Sequence, residues 1–502
     1  VTTRATPVTR GPRFRAFADQ HRAEFFFVQL VGGAAMGDSH SRVEVTVTRP
    51  EDQRYSLWQS LVYGTQHILT MYGGVIAPPL IVGGAAGLSA SDMALLVTAG
   101  LFVSGLATLL QTLGIGPVGS RLPIVQGISF VSVSTMVTIA QEGGLRPVFG
   151  AIIVAGAIGL VLSSFFAKLV RFFPSVVTGT IITVIGLSLL PTAFRWAMGN
   201  NAKAADYGSM GNIGFAGLTL VIILVISRLF QGAISRLSIL IGLVIGTIIA
   251  AATGHTDFSG VRKADIFALP PIMHFGSPTF QAGAIVSMTI VILVIMVETT
   301  ADVLAISEIV GTEADSKRVA AGLRADMLSS GVAPIFGSFP CSAFAQNVGL
   351  VALTGIKSRF VVATGGVVLA LLGLFPVVGA VVAGIPYPVL GGAGIVLFGS
   401  VAASGIRTLA RVDFTDNLNM VLVAVAVGVG VIPIAAPTFW DKFPTGIGVV
   451  MHSGISATAI AAIVLNLAFN EFKRGNKPGA SVFAAADDAK DELGDRLEDD
   501  IR

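Results

Sequence analysis

The sequence predicts an all-α polytopic membrane protein with 14 transmembrane segments, arranged as two inverted 7-segment repeats. Three observations carry this. Of 502 residues, 53% are hydrophobic and 12% charged, about half the roughly 25% charged share of soluble domains, and apolar runs of about 17 or more residues recur along the chain. The basic residues between those runs fall unevenly on alternate loops. Two spans, seven apart in order, are broken in the same way.

Residues 1–55 read as a disordered cytoplasmic extension. They hold eight Arg, and the apolar piece from Phe25 to Met36 is too short to span and is not cleanly separated as a signal-peptide core. Met36 opens a polar lead into the first span, so translation is expected to begin near it, leaving residues 1–35 unread. The transmembrane region covers 56–470, with a first repeat over about 56–256 and a second over about 280–470. Its spans are expected to start at Leu57, Asp92, Leu122, Pro147, Pro174, Ile213, Ser238, Gly283, Val319, Pro340, Phe360, Tyr387, Asn417 and Ile447. That is roughly one per 30 residues, a 20-residue span plus a short loop. Residues 471–502 form an acidic cytoplasmic tail, too short for a regulatory domain.

With the N-terminus inside, the inward loops hold Arg121, Lys168, Arg171, Arg228, Arg236, Lys317, Arg318, Arg324, Lys357, Arg359, Arg407 and Arg411. The outward loops hold Arg146, Arg195, Lys203, Arg262, Lys263 and Lys442. Such an excess follows the positive-inside rule. An even number of spans then places both termini in the cytoplasm, for a multi-pass protein of a bacterial-type cytoplasmic (inner) membrane.

The third span begins Arg121-Leu122-Pro123-Ile124-Val125-Gln126-Gly127-Ile128-Ser129-Phe130. The tenth runs Ser338-Phe339-Pro340-Cys341-Ser342-Ala343-Phe344-Ala345-Gln346-Asn347-Val348-Gly349. Each has an early Pro, a short extended piece, then polar residues and Gly before a shorter apolar run. An odd spacing forces corresponding elements into opposite orientation, as in an inverted repeat. Non-helical backbone at membrane depth is tolerated where it is buried or lines a cavity. Facing half-helix N-termini then offer free N–H groups to a ligand. The plain alternative is a pair of kinked helices, since Pro and Gly are common in membrane spans.

The eighth span carries Glu298, Asp302 and, near its end, Glu308. Glu298 and Asp302 are spaced i, i+4 and share a helix face. A carboxylate at bilayer depth costs roughly 2.5–3.5 kcal/mol on insertion scales, which points to a polar cargo, an ion or a proton. Other functions are disfavoured. The single Cys341 builds neither a disulfide framework nor a metal site, and the six His form no i, i+4 pair. No cofactor is expected. The net charge of +3 is spread through loops and tails, so nucleic acid is not an expected partner. No nucleophile–base constellation suggests an enzyme, and a passive channel has no need of paired acids.

The string Gln346-Asn347-Val348-Gly349-Leu350-Val351-Ala352-Leu353-Thr354 resembles the signature of the nucleobase–ascorbate transporters (nucleobase:cation symporter-2). Gln66-His67, Gln126-Gly127-Ile128-Ser129-Phe130, Glu298-Thr299-Thr300-Ala301-Asp302 and Asp326 agree in order. The resemblance covers about Leu57 to Phe469. It implies spans 1–4 and 8–11 as a core domain, spans 5–7 and 12–14 as a gate domain, and a homodimer. It implies uptake of a small purine driven by protons rather than sodium. Gln-Asn in the signature resembles the xanthine and uric acid branch, where the uracil branch tends to carry Glu.

On that basis Glu298, Gln346, Phe130 and Ser129 are the substrate-binding candidates. A carboxylate can accept two neighbouring N–H groups of an oxopurine, and an amide can read one edge in one orientation. Phe130 supplies an aromatic wall, and the Ser129 hydroxyl tunes the choice between xanthine and urate. Asp302 and Asp326 are candidates for the proton, with hydrogen-bonded braces as the alternative. His67 reads as a packed residue or a proton relay. Asn347 is expected to orient Gln346 or to bind the eighth span. The rival readings are a uracil carrier of the same family and a sulfate-type anion transporter of the same plan. The latter usually ends in a larger soluble domain.

Overall fold

The computed structural model describes residues 49–166, 172–415 and 417–471. The expected N-terminal extension up to residue 48, the loop charges Lys168 and Arg171, and the acidic tail beyond residue 471 lie outside the described residues.

The helices run in order α1 (Leu57–Ala85), α2 (Ala90–Leu113), then α3 (Val133–Gly143) and α4 (Leu145–Leu162). They continue with α5 (Ser175–Ala197), α6 (Met210–Leu229), α7 (Ser238–Ala252), α8 (Ala282–Val310) and α9 (Ser316–Val332). The remainder are α10 (Ala345–Thr354), α11 (Arg359–Leu372), α12 (Pro376–Ala383), α13 (Tyr387–Leu409), α14 (Asn417–Ala435), α15 (Thr445–His452) and α16 (Gly454–Asn466). Serines open several of them. Ser56 forms a capping box with Gln59, and Ser89, Ser209 and Ser358 each accept a first-turn N–H. Among the described residues, eight helices are long and apolar enough to cross a membrane, or nine if α11 and α12 count as one bent span.

Both expected breaks are present. The chain entering α3 forms strand β1 (Gln126–Ile128) and the chain entering α10 forms β2 (Cys341–Ala343). They pair antiparallel, with Gln126 opposite Ala343, Gly127 opposite Ser342 and Ile128 opposite Cys341. The ladder extends through Ser129 N to Pro340 O at 2.8 Å and Phe344 N to Val125 O at 3.1 Å. A two-stranded ribbon has two open edges, which need partners where water is excluded. One hydroxyl serves each. Thr108 Oγ1 on α2 accepts from Gln126 N (3.0 Å) and donates to Gln126 O (3.2 Å). Ser330 Oγ on α9 does the same for Cys341, at 3.0 and 3.3 Å. Gly127 is required here, because a Cβ would lie 2.4 Å from the Phe344 ring.

Two features differ from the expected continuous spans. The eleventh turns by 80° between α11 and α12, because Pro376 has no N–H to continue the ladder and starts a new helix. The fourteenth breaks at Ser453, whose backbone is extended and whose side chain caps α16. Small residues set the closest helix packing, as expected for membrane bundles. Where α5 crosses α13, a Cβ on Gly186 would sit 2.2 Å from the backbone N of Ala402.

Candidate functional site

The paired strands bring the starts of α3 and α10 together. Neither helix start carries a side-chain cap; backbone carbonyls serve instead, Phe130 O accepting from Val133 N and Phe344 O from Asn347 N at 2.9 Å. α8 packs along β2 and α10, which carries the acidic face of the eighth span to the break.

Asp326 is the anchor of the arrangement. Fully buried on α9, it accepts from Gln126 Nε2 at 2.7 Å through Oδ1 and from Thr299 Oγ1 through Oδ2. Thr299 in turn accepts from Ala343 N at 3.4 Å. One carboxyl therefore ties both strands to α8 and α9. Glu298, the residue before Thr299, is half-buried, and among the described residues no group hydrogen-bonds to its carboxylate. Asp302 is buried one turn on, with Oδ2 unpartnered.

Gln346 in the first turn of α10 is exposed and lines a cavity of about 440 Å³. Thr70, Phe344, Ser400, Arg236 and Arg407 also line it. Neither Glu298 nor Phe130 is among its lining residues, so the cavity reaches one predicted substrate residue and not the others. Phe130 is half-buried and packs edge-to-face on Phe398 of α13, centroids 6.2 Å apart. Ser129 is buried with its hydroxyl unpartnered, while its carbonyl accepts from Ser132 Oγ at 2.8 Å. A free hydroxyl in that position is a costly orphan without a ligand.

Among the described residues, the Asn347 side chain hydrogen-bonds to neither Gln346 nor the eighth span, the two partners expected from the sequence. It is buried and its Nδ2 contacts His67 Nδ1 at 3.1 Å and His67 O at 3.0 Å, on α1. The amide assignment makes Nδ1 the acceptor and leaves the ring proton on Nε2. α10 begins next to α1, so the adjacent helix competes successfully for this amide. His67 and Asn347 thus form a buried pair that fixes α10.

Gln126 and Thr299 carry contacts that sequence reasoning assigned to neither. Both stand inside recurring strings, Gln126 to Phe130 and Glu298 to Asp302, which was the available signal. Their common partner Asp326 lies 200 residues from Gln126.

A second cavity of about 580 Å³ opens at the other end of the bundle, lined by Ser134 and Thr138 of α3, Ser188, Thr192 and Arg195 of α5, and His452. Below it, Thr135 Oγ1 meets Ser453 Oγ at 2.6 Å and Ser287 Oγ meets Ser456 Oγ at 2.9 Å.

Apolar helices long enough to span a bilayer surround a buried polar centre at two broken helices, an arrangement suited to a multi-pass membrane transporter. Solved structures share the architecture. The transmembrane domain of the cyanobacterial bicarbonate transporter BicA superposes with a TM-score of 0.55 at 17% identity, covering 83% of this chain and 99% of that one. SLC26A9 gives 0.57 at 13%, covering 84% and 67%. At such identities the likeness concerns the fold alone. Sequence is more specific. Residues 58–439 match the model described as Permease family, Xan_ur_permease. The xanthine permease of Bacillus subtilis is 40% identical over 424 residues, 84% of this chain and 97% of that protein. The uric acid transporter UacT of Escherichia coli is 38% identical over 426 residues, 84% and 88%. The chain belongs to this permease family, the nucleobase–ascorbate transporters.

Proposed function

We propose that the protein is a proton-coupled symporter that takes up an oxopurine, xanthine or uric acid, across the cytoplasmic membrane by alternating access. The observation that carries the reading is the pair of uncommitted polar side chains at the break, Glu298 and Gln346, beside two half-helix starts. A carboxylate acceptor and an amide with both donor and acceptor complement the alternating N–H and C=O edges of an oxopurine. Similarity to proteins named for xanthine and uric acid supports the same cargo. Gln346 in place of Glu weighs against uracil.

The proposal includes fourteen spans in two inverted repeats, with both termini cytoplasmic. The matching hydroxyl caps of β1 by α2 and of β2 by α9, seven spans apart, favour that symmetry. Spans 1–4 and 8–11 form the core and the others the gate. The two cavities lie at opposite ends of the core–gate boundary, and the Thr135–Ser453 and Ser287–Ser456 pairs join core to gate beneath the outer one. Closing one end while opening the other is the motion this arrangement supports. Asp302 and Asp326, next to Glu298, are the residues proposed to couple the proton, with His67–Asn347 organising the site. A homodimer is part of the reading. The apolar faces that α6 and α14 leave exposed, including Met210, Val221, Leu224 and Met420, would meet lipid or a second copy.

Uptake of labelled xanthine by cells expressing the chain, with unlabelled urate or uracil in excess, tests the cargo. Competition by urate and not by uracil is expected. Absence of uptake, or competition by uracil alone, would overturn the assignment of Gln346.

A further inference from the structure

Immediately before α1, Pro50–Asp52 forms a single 3-10 turn. Glu51 within it is 1% exposed, a placement a carboxylate tolerates only with partners. Its Oε1 accepts from Arg318 Nη2 at 2.7 Å and from Thr312 Oγ1 at 3.1 Å. Arg318, in the first turn of α9, carries the link onward. Its Nε donates to Ser120 O at 2.9 Å and its Nη2 to Arg121 O at 3.3 Å. Arg121 opens the path into β1 with φ of 58°, a left-handed conformation that a non-glycine residue holds only when its surroundings enforce it. Its N–H is held by Gln111 O at 3.0 Å.

The next residues repeat the pattern. Asp52 Oδ1 accepts from Arg359 Nε at 2.6 Å, and Arg359 Nη1 donates to Thr112 O at 3.0 Å. Ser358 Oγ donates to Gln53 O at 2.5 Å. Three consecutive residues therefore tie together the ends of α2, α8, α9 and α11 and the lead into β1. All of these belong to the proposed core, and none to the gate.

We propose that this turn is a clasp and that Glu51 is a positioning residue. By holding Arg318 it fixes both the strained entry at Arg121 and the start of α9, and so keeps Gln126 on β1 aligned with Asp326 on α9. The idea rests on the transport reading for its consequence in uptake, and on geometry alone for its effect on the backbone. A core that moves as one body against a gate needs its cytoplasmic loops bound together, and buried ion pairs are costly to break from one side.

Hydrogen–deuterium exchange of the purified full chain, wild type against Glu51→Gln, tests the clasp without any substrate. Amides of residues 118–128 and 311–319 are expected to exchange about tenfold faster in the variant, with α13 unchanged and Glu51→Asp in between. In proteoliposomes, gradient-driven xanthine accumulation should fall about fivefold or more, while xanthine exchange across the membrane stays within about twofold. Unchanged exchange over residues 118–128 would overturn the clasp. So would loss of protection throughout the chain with both transport modes falling in parallel. A wild-type protein that moves no xanthine would sink the transport reading, while the amide comparison still decides the clasp.

Discussion

Glu298→Gln is expected to reduce xanthine uptake by about a hundredfold or more, with the protein folded and inserted as the wild type. Among the described residues the Glu298 side chain has no hydrogen-bond partner, so its replacement orphans nothing inside the protein. What changes is its chemistry toward cargo. The carboxylate accepts two N–H groups of the ring, and a glutamine turns an N–H toward one of them. Hydrogen bonds to a charged group contribute about 1.5–3 kcal/mol each, so weakening one to a neutral bond and making the other repulsive costs about 3 kcal/mol, roughly two factors of ten. Uptake rates at matched membrane abundance, with melting temperature as the control, check this. Uptake within about threefold of wild type would remove Glu298 from the substrate site.

Asp326 should behave in the opposite way. Asp326→Ala leaves Gln126 Nε2 and the Thr299 hydroxyl without their acceptor in a buried place. Each orphaned group costs about 1–3 kcal/mol, so a fall in melting temperature and in membrane abundance is expected along with loss of uptake. Asp326→Asn should retain the fold. Gln126 Oε1 is buried and unpartnered, so rotating that amide would present an acceptor to the new Asn NH2, while the Asn oxygen still accepts from Thr299. A folded Asn variant that no longer accumulates xanthine against a gradient would separate the proton role from bracing. Equal thermal losses in Ala and Asn would contradict this account of the network.

Hydropathy made much of the helical layout legible, because apolar length is what the bilayer selects and loop charges mark its two sides. The breaks were legible through Pro123 and Pro340, each followed by polar residues and Gly. Their pairing into one ribbon was not, since nothing local identifies a partner strand some 200 residues away. Asn347 shows the same limit. Its amide chose His67 on the adjacent α1 over Gln346, a competition decided by packing. Arg318 and Arg359 stand in the sequence as loop charges between apolar runs, a pattern that assigns a side of the membrane in the proposed topology and no partner. Their partners Glu51 and Asp52 stood in a stretch set apart from the membrane region, so the clasp stayed hidden. The bend at Phe375–Pro376 had a local signal in the proline, but the apolar run continued through it and hid the turn. Membership in a shared fold also settles less than it suggests. BicA and SLC26A9 have the architecture at 17% and 13% identity, a likeness of fold alone.

The most direct test of proton-coupled oxopurine transport uses the purified wild-type chain in proteoliposomes, with labelled xanthine outside and a proton gradient imposed inward. The account predicts accumulation above the external concentration that collapses when a protonophore is added and that excess urate blocks. Xanthine that only equilibrates, at the same rate with and without the gradient, would contradict coupling. Entry unaffected by urate would contradict the site.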